Sequence, residues 1–386
     1  MATLPVKSND MLCSPGVFLL CDVVVRYSAL VYDVYQKRTA LICNPVPHNK
    51  KQSLKPEFPM PDFHHPQLIS VNGVQLAVYE QRPQGEAKPW PVLLCHGMPE
   101  LAYSWRHQFA PLAAAGFHVI ALDMRGVGYS QVLPNQEDYT LQQRLGDLCG
   151  LLDHFGYEQG IFIGHDFGGT IVWGMGLYHQ ERVKALCACN SPFADMPMNP
   201  LDLYNQLYGP NNYFAYFQTQ ACEDKFNEDP ARTFRFYARR DTGQGTNLSR
   251  SRQHDAESIG HVHWIHDAES SWPGELILTD QELDYYASAY ARTGFGGALN
   301  WYRCLPLDYE HQKQVYPNGL PSIEVPVLAV GSELDFIAAH HFYDLLDGYC
   351  SNWKKVVIVD AGHWTQQEQP QALNRVLVDW LQEVSG

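Results

Sequence analysis

An aspartate lies where a short apolar strand is predicted to turn sharply into a helix, within Ile-Phe-Ile-Gly-His-Asp-Phe-Gly-Gly at 161–169. The Gly-x-Asp-x-Gly spacing around Asp166 is typical of a strained turn that holds a nucleophilic side chain clear of the backbone. A serine at such a turn attacks acyl carbon, whereas a carboxylate is better suited to displacement at an activated sp3 carbon. Asp166 is therefore predicted to be a nucleophile, and an epoxide or an alkyl halide is its expected electrophile.

A histidine and an acid that could support this nucleophile lie in predicted loops further along the chain. His363 and Asp335 each follow a predicted strand. The chain order nucleophile, acid, histidine is that of α/β-hydrolase sites, in which loops after different strands converge at one edge of the sheet. Asp335 is the favoured acid, with Glu333 and Asp195 as alternatives.

A turn after another predicted strand could stabilise negative charge on the reacting group. It reads Cys-His-Gly-Met-Pro-Glu at 95–100. Such a turn presents the backbone N–H after His-Gly toward the nucleophile, where it can bind developing charge. The N–H groups of Met98 and Phe167 are therefore predicted to form an oxyanion hole, and His96 is predicted to be structural.

Strands and helices alternate from about residue 67, which predicts βαβ units. The predicted core strands are 67–71, 75–81, 91–95, 118–122, 161–163, 183–189, 325–330 and 356–359. Helical periodicity is predicted at 140–154, 340–349 and 371–384. The fold class is therefore predicted to be α/β: an α/β-hydrolase fold with a mostly parallel sheet flanked by helices and an inserted helical lid.

Three regions are predicted along the chain. Residues 1–66 are interpreted as an N-terminal extension with an amphipathic helix and a linker, and 67–194 with 323–386 as the core. Residues 195–322, rich in Tyr, Phe, Trp and Arg, are interpreted as a mainly helical lid. The polar segment 239–273 within the lid is expected to loop out.

Charge and cysteine content restrict the partners and the compartment. The net charge of −15 disfavours nucleic acid and acidic membrane surfaces. Ten cysteines form no Cys-x-x-Cys pair and no zinc-like quartet, which predicts no metal site and favours a reducing, cytoplasmic location over secretion. No apolar run reaches the roughly 20 residues of a membrane-spanning helix. The amphipathic helix at 20–34 is expected to pack on its own domain, with peripheral membrane contact or a dimer contact as alternatives.

The chain closely resembles the α/β-hydrolase-fold epoxide hydrolases, particularly the soluble type. The resemblance runs from about residue 68 to the C-terminus and includes both the core and the predicted lid. The resembling motifs are His-Gly-Met-Pro-Glu at 96–100, Tyr-Ser-Trp-Arg at 103–106, Asp-Met-Arg-Gly-Val-Gly-Tyr-Ser at 123–130, Gly-His-Asp-Phe-Gly-Gly at 164–169, Asn-Ser-Pro-Phe at 190–193, Tyr-Phe-Ala-Tyr-Phe-Gln at 213–218, Leu-Asn-Trp-Tyr-Arg at 299–303 and Gly-His-Trp-Thr-Gln at 362–366.

The resemblance implies that two lid tyrosines hydrogen-bond the epoxide oxygen. Matched position by position, these are Tyr213 and Tyr302, with Tyr216 as an alternative to Tyr213. Phenols with a pKa near 10 can donate hydrogen bonds or a proton as the ring opens. The residues expected to line the substrate pocket are Met98, Phe167 and Trp301.

The expected reaction is hydrolysis of a lipophilic epoxide to a vicinal diol, with a small-molecule epoxide and water as reactants and no metal or organic cofactor. The nearest alternative is a haloalkane dehalogenase, which needs N–H donors for the departing halide. Many relatives carry tryptophan after the nucleophile, whereas Phe167 has no side-chain donor. A non-catalytic ligand receptor with a hydrolase fold is the other alternative. The sequence leaves the oligomeric state open.

Overall fold

A nine-stranded sheet organises the residues that the computed structural model describes, which are 41–43, 61–83, 85–193, 195–240, 260–335 and 340–386. The strands are β1 (Leu41–Cys43), β2 (Gln67–Val71), β3 (Val74–Gln81), β4 (Val92–Cys95), β5 (Val119–Leu122), β6 (Gly160–His165), β7 (Val183–Cys189), β8 (Arg239–Arg240), β9 (Glu275–Leu276), β10 (Val327–Ser332) and β11 (Trp353–Ile358). Across the sheet the strands follow the order β1-β11-β10-β7-β6-β4-β5-β3-β2, and β8 pairs with β9 in a separate ladder.

The sheet is mostly parallel. Strand β3 pairs antiparallel with β2 and with β5, whereas the pairs from β5 through β4, β6, β7, β10 and β11 to β1 are parallel. Strands β4, β5, β6 and β10 are buried along their whole length, because parallel strands in α/β proteins are covered on both faces. The predicted mostly parallel sheet is therefore confirmed.

Helices flank this sheet and fill the long interval between β7 and β10. The helices are α1 (Phe109–Ala114), α2 (Leu141–Phe155), α3 (Phe167–Tyr178), α4 (Pro200–Tyr208), α5 (Tyr213–Phe217), α6 (Gln220–Glu228), α7 (Pro230–Tyr237), α8 (Asp280–Thr293), α9 (Gly296–Arg303), α10 (Leu305–Val315), α11 (Thr365–Glu368) and α12 (Pro370–Ser385). Single-turn and longer 3-10 helices span Ala102–Trp105, Gln136–Tyr139, Gln180–Arg182, Gly260–His266, Glu269–Ser271 and His340–Gly348.

Residues 195–322, called the lid segment below, contain helices whose starts are set by side-chain caps. Each capping side chain accepts a hydrogen bond from a backbone N–H in the first turn, which compensates for the missing intrahelical acceptors there. Helices α4 and α7 also have proline in the first turn, where the absent N–H costs nothing. The caps are Asn199, Asn212, Thr219, Asp229 and Thr279.

Several elements differ from the sequence-based expectation. Strand β6 extends over Gly160–His165, β10 spans Val327–Ser332 instead of 325–330, the helix predicted at 340–349 is a 3-10 helix, and β1 belongs to the sheet although it lies in the predicted extension. Strand β11 begins at Trp353, three residues before the predicted start at 356, because Trp353, Lys354 and Lys355 pair with β10. Lys354 is exposed and its two neighbours are only partly buried, so this half of the strand has no continuous apolar pattern. The described part of 239–273, expected to loop out, contains β8 and two 3-10 helices. Here Arg239 donates hydrogen bonds to the carbonyls of Pro273 and Gly274, 2.7 and 2.6 Å away. The sequence did not predict the β8–β9 ladder, because two residues are too few to show an alternation of apolar and polar side chains.

The amphipathic helix predicted at 20–34 and most of the linker lie outside the described residues. Within the described ranges, no helix combines the length and the apolar character that crossing a membrane requires.

The order of the parallel strands determines where their loops meet. The loops after β4, β6, β7, β10 and β11 all leave the carboxyl ends of neighbouring strands. Crevices that bind ligands form at this edge of open α/β sheets. The predicted nucleophile, acid, histidine and oxyanion donors all lie in or directly beside these loops.

Candidate active site

Asp166 occupies a sharp turn between β6 and α3 with φ of 52° and ψ of −119°. Positive φ is strained for a residue with a β-carbon, and such strain persists only where the surroundings enforce it. The turn is enforced by close packing, since a β-carbon at Gly168 would lie 2.1 Å from the carbonyl oxygen of Cys95. Gly97 is required on the facing loop, where a β-carbon would lie 2.5 Å from Asp166 Oδ1.

The two oxygens of the Asp166 carboxylate face different partners. Oδ1 accepts a hydrogen bond of 2.9 Å from the backbone N–H of Met98, and Oδ2 lies 3.6 Å from Nε2 of His363. Burial raises the pKa of Asp166, but its neighbours have the larger opposite effect. The pKa falls below the usual value because His363 contributes a hydrogen bond and positive charge, His165 contributes positive charge, and the Met98 N–H donates a hydrogen bond. Asp166 is therefore ionised, and its side chain is 16% exposed.

His363 lies between two carboxylates. Its Nδ1 is 3.0 Å from Oδ2 of Asp335, and both side chains are buried. The alternative acids are engaged elsewhere: Asp195 accepts bonds from Gln312 and Lys313, and Glu333 accepts the N–H of Asp360. The structure thus brings Asp166, His363 and Asp335 together from the loops after β6, β11 and β10.

The charge on His363 depends on its two acidic neighbours. Burial lowers its pKa, but the two carboxylates have the larger combined effect. The negative charges of Asp335 and Asp166, and the hydrogen bonds to both, raise the pKa of His363 well above the ordinary value. A neutral group in place of the Asp166 carboxylate would remove part of this effect, and the pKa of His363 would fall.

Asn190, for which the sequence analysis predicted no role, holds the acid in place. It follows β7 with φ of 51°, and its Nδ2 donates to Oδ2 of Asp335 at 2.7 Å and to Oγ of Ser332 at 3.0 Å. Its Oδ1 accepts a 2.7 Å bond from the hydroxyl of Thr365. This buried amide fixes the carboxylate that faces His363. The sequence signals of Asn190 are its place after a central strand and its membership of the Asn-Ser-Pro-Phe motif at 190–193.

A second buried network lies behind the nucleophile turn. Oε2 of Glu100 accepts the N–H of Gly97 at 2.9 Å and lies 2.6 Å from Nδ1 of His165, whose Nε2 donates to the carbonyl of His363 at 2.7 Å. Burial raises the pKa of Glu100, but the charge and bond of His165 and the Gly97 N–H lower it overall. Glu100 and His165 belong to the quoted motifs, but the motifs do not show that these two residues connect the Met98 turn to the His363 loop; their contacts in the structure do.

The two expected tyrosines come from α5 and α9 of the lid segment. The ring of Tyr302 lies 4.4 Å from that of Phe167, and the rings of Tyr302 and Tyr213 both contact Phe214 and Phe217. Burial raises the pKa of both phenols well above the ordinary value, and the charge of Asp166 adds to the effect. Both therefore remain protonated and can donate hydrogen bonds.

The remaining candidates occupy distinct positions. Trp301 is fully buried, with its ring 6.0 Å from Phe167 and 5.9 Å from His96. Nε2 of His96 accepts the N–H of Met124 at 2.9 Å, which is a structural contact. The hydroxyl of Tyr216, the alternative to Tyr213, lies 3.2 Å from Nε2 of His266.

Together these groups provide an ionised nucleophile, a histidine with an acid partner, the backbone N–H donor of Met98 and two protonated phenols. Such a set can displace an oxygen leaving group at carbon and then hydrolyse the resulting ester. Among the described residues, no group of three or more His, Cys, Asp or Glu side chains is arranged to hold a metal ion.

Comparison with known proteins shows which family this chain belongs to. Residues 91–370 match the model of the alpha/beta hydrolase fold. Epoxide hydrolase A of Mycobacterium tuberculosis is 35% identical over 322 residues, which cover 81% of this chain and 96% of that protein. Bifunctional epoxide hydrolase 2 of Mus musculus is 34% identical over 337 residues, which cover 85% of this chain. The chain spans 58% of that mouse protein and 51% of its Sus scrofa counterpart.

Solved structures agree with the sequence relatives. The crystal structure of epoxide hydrolase A from Mycobacterium thermoresistibile has a TM-score of 0.71 at 33% identity, covering 83% of this chain and 98% of that chain. Potato (Solanum tuberosum) epoxide hydrolase I has a TM-score of 0.69 at 26% identity, covering 83% and 99%. The chain therefore belongs to the epoxide hydrolases of the α/β-hydrolase fold.

Proposed function

We propose that this protein hydrolyses an epoxide to a vicinal diol through an ester on Asp166. The observation that carries the proposal is an ionised carboxylate at the strained turn, with two protonated phenols nearby in the lid segment, the buried Tyr302 and the partly buried Tyr213. The aromatic character of that segment favours a lipophilic epoxide. The comparisons do not favour a haloalkane dehalogenase or a non-catalytic receptor, and Phe167 offers a departing halide no side-chain N–H.

In the first step, Oδ2 of Asp166 attacks one epoxide carbon. Oδ1 keeps its bond to the Met98 N–H and becomes the carbonyl oxygen of the new ester. The breaking C–O bond places negative charge on the epoxide oxygen, where Tyr213 and Tyr302 donate hydrogen bonds and one phenol transfers its proton. The product of this step is a hydroxyalkyl ester.

In the second step, His363 removes a proton from water, which attacks the carbonyl carbon of the ester. Esterification has removed the charge of Asp166, so the pKa of His363 falls and a neutral base becomes accessible, with Asp335 stabilising the imidazolium that forms. The oxyanion develops on Oδ1 beside the N–H groups of Met98 and Phe167. The proton that His363 loses as its pKa falls restores the phenol by way of solvent. Collapse of the oxyanion breaks the bond from the Asp166 carbonyl carbon to the alkyl-bearing oxygen, and that oxygen takes the remaining proton of the added water. The diol then leaves, and the oxygen of water stays in the Asp166 carboxylate.

A single turnover with enzyme in excess over epoxide in 18O-labelled water tests this scheme. The label is expected in the peptide that contains Asp166, because water attacks the carbonyl carbon and not the epoxide. Peptide mass spectrometry after proteolysis measures it, with enzyme incubated without epoxide as the control. Label found only in the diol would contradict an ester intermediate.

Removing the Tyr302 hydroxyl with Tyr302→Phe is expected to slow ester formation by about 100-fold, because the alkoxide loses one of its donors. Tyr213→Phe is expected to act in the same direction. Stopped-flow tryptophan fluorescence in single turnovers measures this step separately from hydrolysis of the ester.

Tyr216→Phe is the matched control for these variants, since Tyr216 lies on the same helix as Tyr213 but contacts His266. Its rate of ester formation is expected to stay within about threefold of the parent. An equal loss in Tyr216→Phe and Tyr213→Phe would contradict the assignment of Tyr213.

A further inference from the structure

The backbone on both sides of His363 is held by one carboxylate. The N–H of Gly362 donates to Oε2 of Glu368 at 2.7 Å, and the N–H of Trp364 donates to Oε1 at 2.9 Å. Glu368 is the last residue of α11, and its side chain is 0% exposed. One buried carboxylate therefore holds the backbone on both sides of the histidine, while His165 bonds the carbonyl of His363 itself.

An arginine of the lid segment reaches the same loop. Arg240 on β8 donates through Nη2 to the carbonyl of Asp360 at 3.0 Å and also to the Asp360 carboxylate. Its Nε lies 3.8 Å from Oε2 of Glu368. The side chain of Arg240 is 28% exposed, so these contacts are only partly screened by water.

A second contact joins the lid segment to the residue after His363. The indole Nε1 of Trp364 donates to the carbonyl of Tyr237 at 2.8 Å, at the end of α7. The ring of Trp364 lies 4.9 Å from that of His363. The lid segment, which provides both phenols for the first step, is thus bonded to the loop that provides the base for the second.

Charge makes the Glu368 contact sensitive to Arg240. Burial raises the pKa of Glu368 to about 6, while the N–H groups of Gly362 and Trp364 and the charge of Arg240 oppose the rise. The two N–H bonds are stronger when the carboxylate is ionised, because protonation turns one oxygen into a donor and weakens it as an acceptor. Arg240 is the cation that stabilises this form.

We propose that Glu368 and Arg240 are positioning residues. They hold the His363 loop in the position needed for hydrolysis of the ester, and they connect this loop to the lid segment. The inference rests on the proposed function, in which His363 removes the proton of water only in the second step. A displacement of about 1 Å at a reacting group can cost about 100-fold in rate. The loss on removing either side chain should therefore fall on ester hydrolysis and spare ester formation.

The experiment measures the two steps separately by stopped-flow fluorescence and quenched-flow mass spectrometry of the ester. Arg240→Ala is expected to slow ester hydrolysis by about 10- to 100-fold, with ester formation within about threefold of the parent. Arg240→Lys keeps the charge but not the planar contact, and is expected to recover part of the rate. Glu368→Gln is expected to slow the same step at least as much as Arg240→Ala.

Arg239→Ala is the matched control, because Arg239 lies beside Arg240 on β8. Its hydrogen bonds to other described residues go to carbonyls of the lid segment, those of Arg235, Pro273 and Gly274. Both steps are expected to stay within about threefold in this variant. Equal slowing of both steps in Arg240→Ala, or unchanged hydrolysis, would overturn the proposal, and Arg240→Ala decides it even where Glu368→Gln does not fold. Failure of the proposed function is distinct, because the parent enzyme would then form no ester.

Discussion

Replacing Asp166 with alanine is expected to lower kcat for epoxide hydrolysis by about 10,000-fold or more. The reason is that the ester forms on this carboxylate, and the adjacent N–H groups and phenols have no nucleophile to assist without it. Diol formation measured by chromatography gives kcat, and mass spectrometry of the intact protein tests for an ester. The variant should bind epoxide and form neither ester nor diol.

Asp195→Ala is the control for this substitution. Asp195 is another partly buried aspartate, but it bonds Lys313 and Gln312, and we expect kcat within about threefold of the parent. Retained turnover in Asp166→Ala, with thermal unfolding unchanged, would show that water attacks the epoxide directly.

Replacing His363 with glutamine is expected to separate the two steps. Ester formation should continue, although more slowly because the imidazolium no longer lowers the pKa of Asp166. Hydrolysis of the ester should slow by about 10,000-fold, since glutamine cannot remove a proton from water. One equivalent of epoxide should therefore be consumed, and the intact protein should gain the mass of the epoxide.

His154→Gln provides the comparison, because His154 is an exposed residue of α2. Its turnover should continue past one equivalent at the parent rate. If His363→Gln also turns over repeatedly, another group must act as the base; if it forms no ester at all, His363 must be needed for the first step.

Local patterns in the sequence were sufficient for the fold class. The run 183–189, apolar except for Lys184, predicted strand β7 with its observed bounds, because a strand covered on both faces is mostly apolar. The start of β11 was missed because Lys354 is exposed and Lys355 is only partly buried, and two adjacent lysines carry no strand signal. The roles of the site residues remain predictions, to be decided by the experiments above.

By itself the sequence determined that a carboxylate lies at a nucleophile turn, because the Gly-x-Asp-x-Gly spacing constrains only neighbouring residues. Its motifs also indicated a histidine, an acid and two tyrosines. Only the tertiary structure decided which acid lies beside His363 and which tyrosine packs against Phe167, since those contacts join loops from separate strands. Three further contacts could not be predicted from the sequence for the same reason. Each pair is separated by more than 60 residues and meets only when the sheet and the lid segment assemble. The pairs are Glu100 with His165, Asn190 with Asp335, and Arg240 with Glu368.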